Sequence, residues 1–200
     1  VIEEKDRNLE FLKKIVNKIA YAIKQTEVEI CSAFEGIEPQ FSDEVFFITS
    51  EELLARYPDL SPKERENAIA REKKTVFLMQ IGDKLSNGAR HDGRAPDYDD
   101  WTLNGDILVY YPLLDCALEL SSMGIRVSPA ALISQLEKAG CPERAELPYH
   151  KALLAGELPF TIGGGIGQSR LCMYLLQKAH IGEVQASVWP EEMCRACEEA

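Results

Sequence analysis

The stretch Thr161 to Leu176, TIGGGIGQSRLCMYLL, puts Gly163, Gly164, Gly165 and Gly167 just ahead of Gln168, Ser169 and Arg170. Phe160, Thr161 and Ile162 read as the end of a β-strand, and Leu171, Met173, Leu175 and Leu176 as the apolar positions of a helix. Glycines without a Cβ let the backbone turn sharply and approach a ligand. A helix start offers free N–H groups and a positive dipole end, which suits an anion. Arg170 sits in the first turn, where the dipole disfavours a cation, so its presence points to a task such as holding a nucleotide phosphate or base. No Gly-Lys-Ser/Thr follows, and the dinucleotide pattern G-x-G-x-x-G is absent. The spacing alone is equally compatible with an ordinary glycine-rich turn. Asp106 and Glu119 form the second candidate. They lie on two apolar runs, Asp106–Tyr111 and Ala117–Leu120, which read as antiparallel neighbours across a Pro112–Asp115 turn. If these runs pair, both carboxylates reach one end of a nucleotide as hard oxygen donors for Mg²⁺. Two acidic residues capping strand ends is the other reading.

The elements that must position these groups follow from periodicity and caps. Asp6 to Gln25 is an amphipathic helix with Leu9, Leu12, Val16, Ile19 and Ile23 on one face. Val28–Cys31 has no clear assignment. Val45–Ile48 reads as a buried strand. Ser50 caps a short helix ending near Tyr57-Pro58, and Ser61-Pro62 with Glu64 opens a helix to about Lys74. Val76–Ile81 is a strand. Gly82 to Trp101 is a polar loop, the composition that carries function most often; His91 within it reads as structural or as a base without a visible nucleophile. Pro129–Ala139 is a helix with Leu132, Ile133 and Leu136 inward, stopped by Gly140. Tyr149–Leu154 is a shorter helix and Val184–Trp189 a final strand. Strands and helices alternate irregularly, so the fold class is α+β. No internal repeat or linker divides the chain, and residues 1–200 read as one domain.

Composition narrows the function classes. Of 200 residues, 46% are hydrophobic and 28% charged, the balance of a globular domain. The formal charge is −11 and the pI about 4.8, which makes a polyphosphate backbone a poor partner. No apolar run is long enough to span a bilayer. The six cysteines are scattered and read as reduced thiols; only Cys194-x-x-Cys197 has metal or redox spacing, without a second pair.

Gly163–Leu171, GGGIGQSRL, resembles motif 3 of the class II aminoacyl-tRNA synthetase fold. The longer string Gly163–Pro190 resembles the end of the ammonia-dependent aspartate–ammonia ligase (asparagine synthetase A) family. Three further strings agree: LLARYPDL (Leu53–Leu60), RHDGRAPDYDDW (Arg90–Trp101) and LNGDILVYYPLLDCALELSSMGIRV (Leu103–Val127). The resemblance covers nearly the whole chain. It implies an antiparallel sheet flanked by helices. It also implies a homodimeric, cytoplasmic ligase that binds no nucleic acid and no membrane. Aspartate's β-carboxylate would attack ATP to give a β-aspartyl-adenylate and pyrophosphate, and ammonia would then release asparagine and AMP. Under this resemblance Asp106 and Glu119 hold Mg²⁺ and ATP, and Arg170 and Gly165 contact ATP. Tyr98, Asp99 and Arg94 belong to a mobile cover, with Tyr98 at the nucleotide and Asp99, Arg94 and Arg170 as the catalytic set. Arg126, with Ser121 and Ser122 nearby, binds the aspartate carboxylate; a structural ion pair is the alternative for Arg126. A tRNA-charging enzyme or a non-catalytic nucleotide-binding or dimerisation module are the competing functions.

The chain departs from the family pattern in two places. The family's N-terminal portion precedes the match, so the chain reads as the C-terminal part of a larger catalytic domain. The family has a longer loop between Trp101 and Leu103; here it is either deleted or, the favoured reading, a mobile segment left out of the sequence.

Overall fold

Five strands in the spatial order β1-β2-β3-β4-β5 form the frame in the computed structural model, which describes residues 1–199. The strands are β1 (Phe46–Thr49), β2 (Thr75–Met79), β3 (Asp99–Tyr111), β4 (Cys116–Arg126) and β5 (Ile162–Ile166). Three of the four pairings are antiparallel; β1 and β2 run parallel, so the sheet is mixed. That parallel pair follows from the crossover through helices α2 (Ser50–Arg56) and α3 (Pro62–Lys73). The tight connection at Pro112–Leu114 joins β3 to β4, as the two apolar runs predicted.

Each sheet face is covered by helices whose apolar stripe is visible in the sequence. Helix α1 (Leu9–Ala33) lays Leu12 and Val16 on Phe77, Met79, Ile107, Met123 and Ile125. On the opposite face Leu53 of α2 and Ile69 of α3 meet Val76, Leu78 and Leu108. Burying one such side chain stabilises by about 1.5–3 kcal/mol, far more than the differences in helix propensity among these residues. Helix α1 extends beyond its expected end and absorbs Val28–Cys31. Its buried Glu27 accepts the backbone N–H groups of Gln40 and Phe41 at 2.7 and 2.8 Å, which ties the following loop to the helix.

Caps set the helix starts. Ser61 and Glu64 form the expected reciprocal box on α3. On α2 the cap is Thr49, one residue before the expected Ser50, because Thr49 exchanges bonds with Glu52 while the Ser50 hydroxyl donates to Gln80 O at 2.6 Å. Helix α4 (Pro129–Ala139) ends at Gly140 with φ 72°. It buries Leu132, Leu136 and Gln135, whereas the expected core residue Ile133 is 38% exposed. Helix α5 (Pro148–Leu154) follows, and α6 (Gln168–Leu175) begins right after β5.

The chain passes from Asp99 through Thr102 and Leu103 to Tyr111 in one strand, with no loop between Trp101 and Leu103. Two expectations are corrected. Gly163, Gly164 and Gly165 make no turn: they form the flat strand β5 against β4, with negative or extended φ. The supposed final strand Val184–Trp189 pairs with nothing among the described residues. Ile181–Glu183 is a 3₁₀ turn, Val188 is 97% exposed, and a last helix α7 (Glu191–Glu198) follows. A strand without a neighbouring edge cannot satisfy its backbone, whatever its apolar pattern.

Candidate active site

Register brings the predicted residues into one row. Asp106 of β3 lies opposite Ser122 of β4, which lies opposite Gly165 of β5. Asp99 faces Arg126 across the same β3–β4 pair, beyond a register irregularity between Asp99 and Asn104. These rows end in a cavity of about 240 Å³ lined by Tyr98, Asp99, Glu119, Ser122, Arg126, Gly165 and Arg170 among others. Ser121 points to the other face of the sheet, toward Ile15 and Ile19 of α1. Alternation along a strand forces this: adjacent residues face opposite sides, so Ser121 and Ser122 cannot both serve one cavity.

At one end of the cavity, Arg126 Nη1 donates to Asp99 Oδ1, and the guanidinium lies 5.2 Å from the Tyr98 ring centroid. The Arg126 side chain keeps 29% of its surface exposed while Asp99 keeps 1%. The strand glycines make room for it: a Cβ on Gly163 would sit 2.5 Å from Arg126 Nη2. Burial pushes the Asp99 pKa up, reinforced by Asp100 and opposed by Arg126 and Arg94. A planar guanidinium with open donors at a cavity wall suits a carboxylate.

At the other end, Arg170 in the first turn of α6 reaches back to β4. Its Nη1 is 3.2 Å from Glu119 O and 3.4 Å from Glu119 Oε1. Both side chains remain substantially exposed, 48% and 39%. Gly167 N donates to Leu120 O at 2.9 Å, which fixes the start of α6 on β4. Nothing lies within 4 Å of a Cβ built on Gly165, so that position opens into the cavity.

Asp106 and Arg94 lie behind this surface, with side chains 7% and 10% exposed and ion-paired to each other. Arg94 therefore does not line the cavity; it acts as the counter-ion of Asp106. Burial pushes the Asp106 pKa up to about 6; Arg94 opposes this and the charge of Glu119 adds to it. Burial alone would lower the Arg94 pKa, but the charge and hydrogen bond of Asp106, together with the charges of Tyr98 and Asp99, hold it above its ordinary value. Asp106 and Glu119 are the carboxylates that bear on a divalent cation: Glu119 lines the cavity, while Asp106 lies behind it and is paired to Arg94. Mg²⁺ typically takes one or two carboxylates plus substrate oxygens, so Asp106 would have to release Arg94 to serve as a ligand. No group of three or more metal-ligating side chains occurs among the described residues, so the remaining ligands would have to come from phosphate and water.

His91 is 4% exposed and its Nε2 lies 3.1 Å from Glu66 Oε1, away from the cavity, in keeping with the structural reading. Cys194 and Cys197 are exposed free thiols on α7. Arg7 went unmarked in the sequence. It lies ahead of α1, donates to Arg126 O at 2.5 Å and to Asp100 Oδ2 at 3.0 Å, and so clamps β4 to β3 beside the arginine slot. Only the long-range contact reveals it.

Solved structures share this architecture. The asparaginyl-tRNA synthetase of Pyrococcus horikoshii, complexed with asparaginyl-adenylate, matches 92% of this chain and 46% of its own at a TM-score of 0.58 and 16% identity. The Entamoeba histolytica enzyme, also with asparaginyl-adenylate, matches 87% of this chain and 43% of its own at 0.58 and 15% identity. The fold is thus the catalytic fold of class II aminoacyl-tRNA synthetases. Within that class the sequence is more specific. Residues 1–200 match the family described as aspartate-ammonia ligase, and the chain belongs to that family. The aspartate–ammonia ligase of Clostridium perfringens is 59% identical over 199 residues, all of this chain and 59% of the relative. That of Lactobacillus johnsonii is 58% identical over 201 residues, all of this chain and 60% of the relative. The chain therefore spans about three fifths of the length of these curated relatives.

Proposed function

We propose that this chain is the C-terminal portion of one class II synthetase-like catalytic domain. In this reading the full-length protein is an aspartate–ammonia ligase that makes L-asparagine from L-aspartate, ammonia and ATP. The carrying observation is one cavity with two chemically different ends: a guanidinium slot of Arg126, Asp99 and Tyr98, and a pair formed by Glu119 and Arg170 beside an open Gly165. Arg126 takes a carboxylate of aspartate, with Ser122 as a nearby donor. Arg170 stacks on or clamps the nucleotide. Asp106 and Glu119 hold Mg²⁺, which supplies charge neutralisation at the phosphates when bound.

The β-carboxylate oxygen of aspartate attacks the α-phosphorus of ATP, and the bond to the β-phosphate oxygen breaks to release pyrophosphate. Ammonia then attacks the acyl carbon of the adenylate; AMP leaves and the nitrogen loses a proton. The chain's part is orientation and charge compensation. Arg126 fixes the substrate at one end while Arg170 fixes the nucleotide at the other. Ammonia is itself the nucleophile, so no protein nucleophile is required. The site belongs with a homodimer in the cytoplasm, where ATP and reduced thiols coexist.

The test incubates full-length protein with Mg²⁺-ATP, aspartate and ammonium, without tRNA, and identifies products by mass spectrometry. Asparagine, AMP and pyrophosphate are expected. Product formed only with tRNA would favour the charging reaction, a reading supported by the likeness to asparaginyl-tRNA synthetases and opposed by the net charge of −11. Nucleotide binding without turnover would leave a non-catalytic module.

A further inference from the structure

Gln135 is a buried polar residue on α4, 5% exposed and next in sequence to the core residue Leu136. Its amide is spent entirely on main chain of one distant segment. Nε2 donates to Pro96 O and to Asp99 O, both at 2.9 Å, and Oε1 accepts from Trp101 N at 2.8 Å. The segment needs such help. The β3–β4 ladder is interrupted between Asp99 and Asn104, and pairing of β3 with β2 reaches only to Gly105. Residues 100–103 therefore lack a regular strand partner, and the backbone groups of the buried pair Asp100 and Trp101 must be satisfied otherwise. Tyr98 and Asp99, the aromatic face and the counter-ion of Arg126, sit inside the span that Gln135 fastens.

We propose that Gln135 is a positioning residue for the carboxylate slot: its three hydrogen bonds hold Tyr98 and Asp99 where they orient Arg126 toward aspartate. The identity of the substrate rests on the ligase reading above. The nucleotide end does not depend on Gln135, because Glu119, Gly165 and Arg170 are held by β4, β5 and α6. A defect at Gln135 therefore separates the two substrates.

Three full-length proteins decide it: wild type, Gln135→Met, which keeps the volume and loses all three bonds, and Gln135→Glu, which keeps the acceptor and loses both donors. Each is measured for KM of aspartate and of ATP, and for backbone hydrogen exchange across residues 95–104. In Gln135→Met, KM for aspartate rises about tenfold or more while KM for ATP stays within about twofold, and exchange at the Trp101 amide accelerates. In Gln135→Glu the aspartate defect, relative to wild type at each pH, shrinks as pH falls, because the protonated acid regains a donor. Unchanged exchange, faster exchange without an aspartate effect, or equal losses for both substrates would each overturn the proposal. A wild-type protein that makes no asparagine would sink the ligase reading instead; calorimetric titration with aspartate and with ATP would then replace the KM values in the same comparison.

Discussion

Gly163 of β5 pairs with Gly124, and the Arg126 side chain, two residues further along β4, lies over it: the space that a Cβ on Gly163 would occupy lies 2.5 Å from the Arg126 guanidinium. The obstacle is the far end of a flexible side chain rather than backbone, so an added methyl displaces the arginine and leaves the strand. Gly163→Ala is expected to fold with a melting temperature close to wild type and to raise KM for aspartate about tenfold, the equivalent of about 1.4 kcal/mol. Kinetics with aspartate varied at saturating ATP check this. A normal KM would show that Arg126 does not take the carboxylate.

Gly165 gives the complementary case. Its Cβ would meet nothing within 4 Å but would enter the cavity where the nucleotide is proposed to bind. Gly165→Ala should leave aspartate binding unchanged and weaken ATP, read by calorimetric titration with a non-hydrolysable analogue.

Asp106 makes stability depend on pH in a set direction. Its folded pKa, raised to about 6 by burial, exceeds the unfolded value of about 3.9, so the native state binds more protons between these values and stability falls as pH rises through that window. The loss approaches about 3 kcal/mol above pH 6. Asp99 shifts in the same direction, so the informative quantity is the difference between wild type and Asp106→Asn. Denaturant titrations at pH 4 and pH 7 should show a smaller pH 4 to pH 7 loss in the variant. The proton also competes with Mg²⁺, so the wild-type KM for Mg²⁺-ATP should climb below about pH 6, more steeply than in Asp106→Asn, where only the protonation of ATP itself contributes.

Arg170 is half exposed and its pair with Glu119 is loose, so the pair contributes at most about 1 kcal/mol to stability. Arg170→Lys keeps the charge but loses the planar fork. The expected result is an unchanged melting temperature with KM for ATP raised about tenfold. A parallel loss of stability would instead make Arg170 a structural residue.

His91 provides a contrast outside the cavity. Removing it by His91→Ala leaves the largely buried Glu66 with Lys63 as its remaining side-chain partner and should destabilise by about 1 kcal/mol. Activity per folded molecule and the pH–rate profile should be unaltered. A missing limb in that profile would return His91 to the chemistry.

Local rules carried much of the fold. The Ser61–Glu64 box, the Gly140 stop, the apolar stripe of α1 and the paired runs of β3 and β4 were readable because each depends on residues a few positions apart. The failures have one origin. Val184–Trp189 has the pattern of a strand, but it pairs with none of the strands among the described residues. The glycine triplet has the composition of a turn, yet pairing with β4 holds it extended. Ile133 has a helical core position but stays 38% exposed.

The candidate site divides the same way. Its residue types are in the sequence: two carboxylates on neighbouring runs, Arg126, and Arg170 after a glycine strip. Which of them share a space is not. Alternation across β4 admits Ser122 and turns Ser121 toward α1, and burial makes Arg94, expected in the catalytic set, the counter-ion of Asp106. Arg7 and Gln135 act across 119 and 36 residues of chain respectively. Sequence alone specifies caps, periodicity and chemical inventory because those interactions are short-ranged along the chain. Tertiary structure decides burial, register and ion-pair partners, because these are settled only when distant segments compete for the same space.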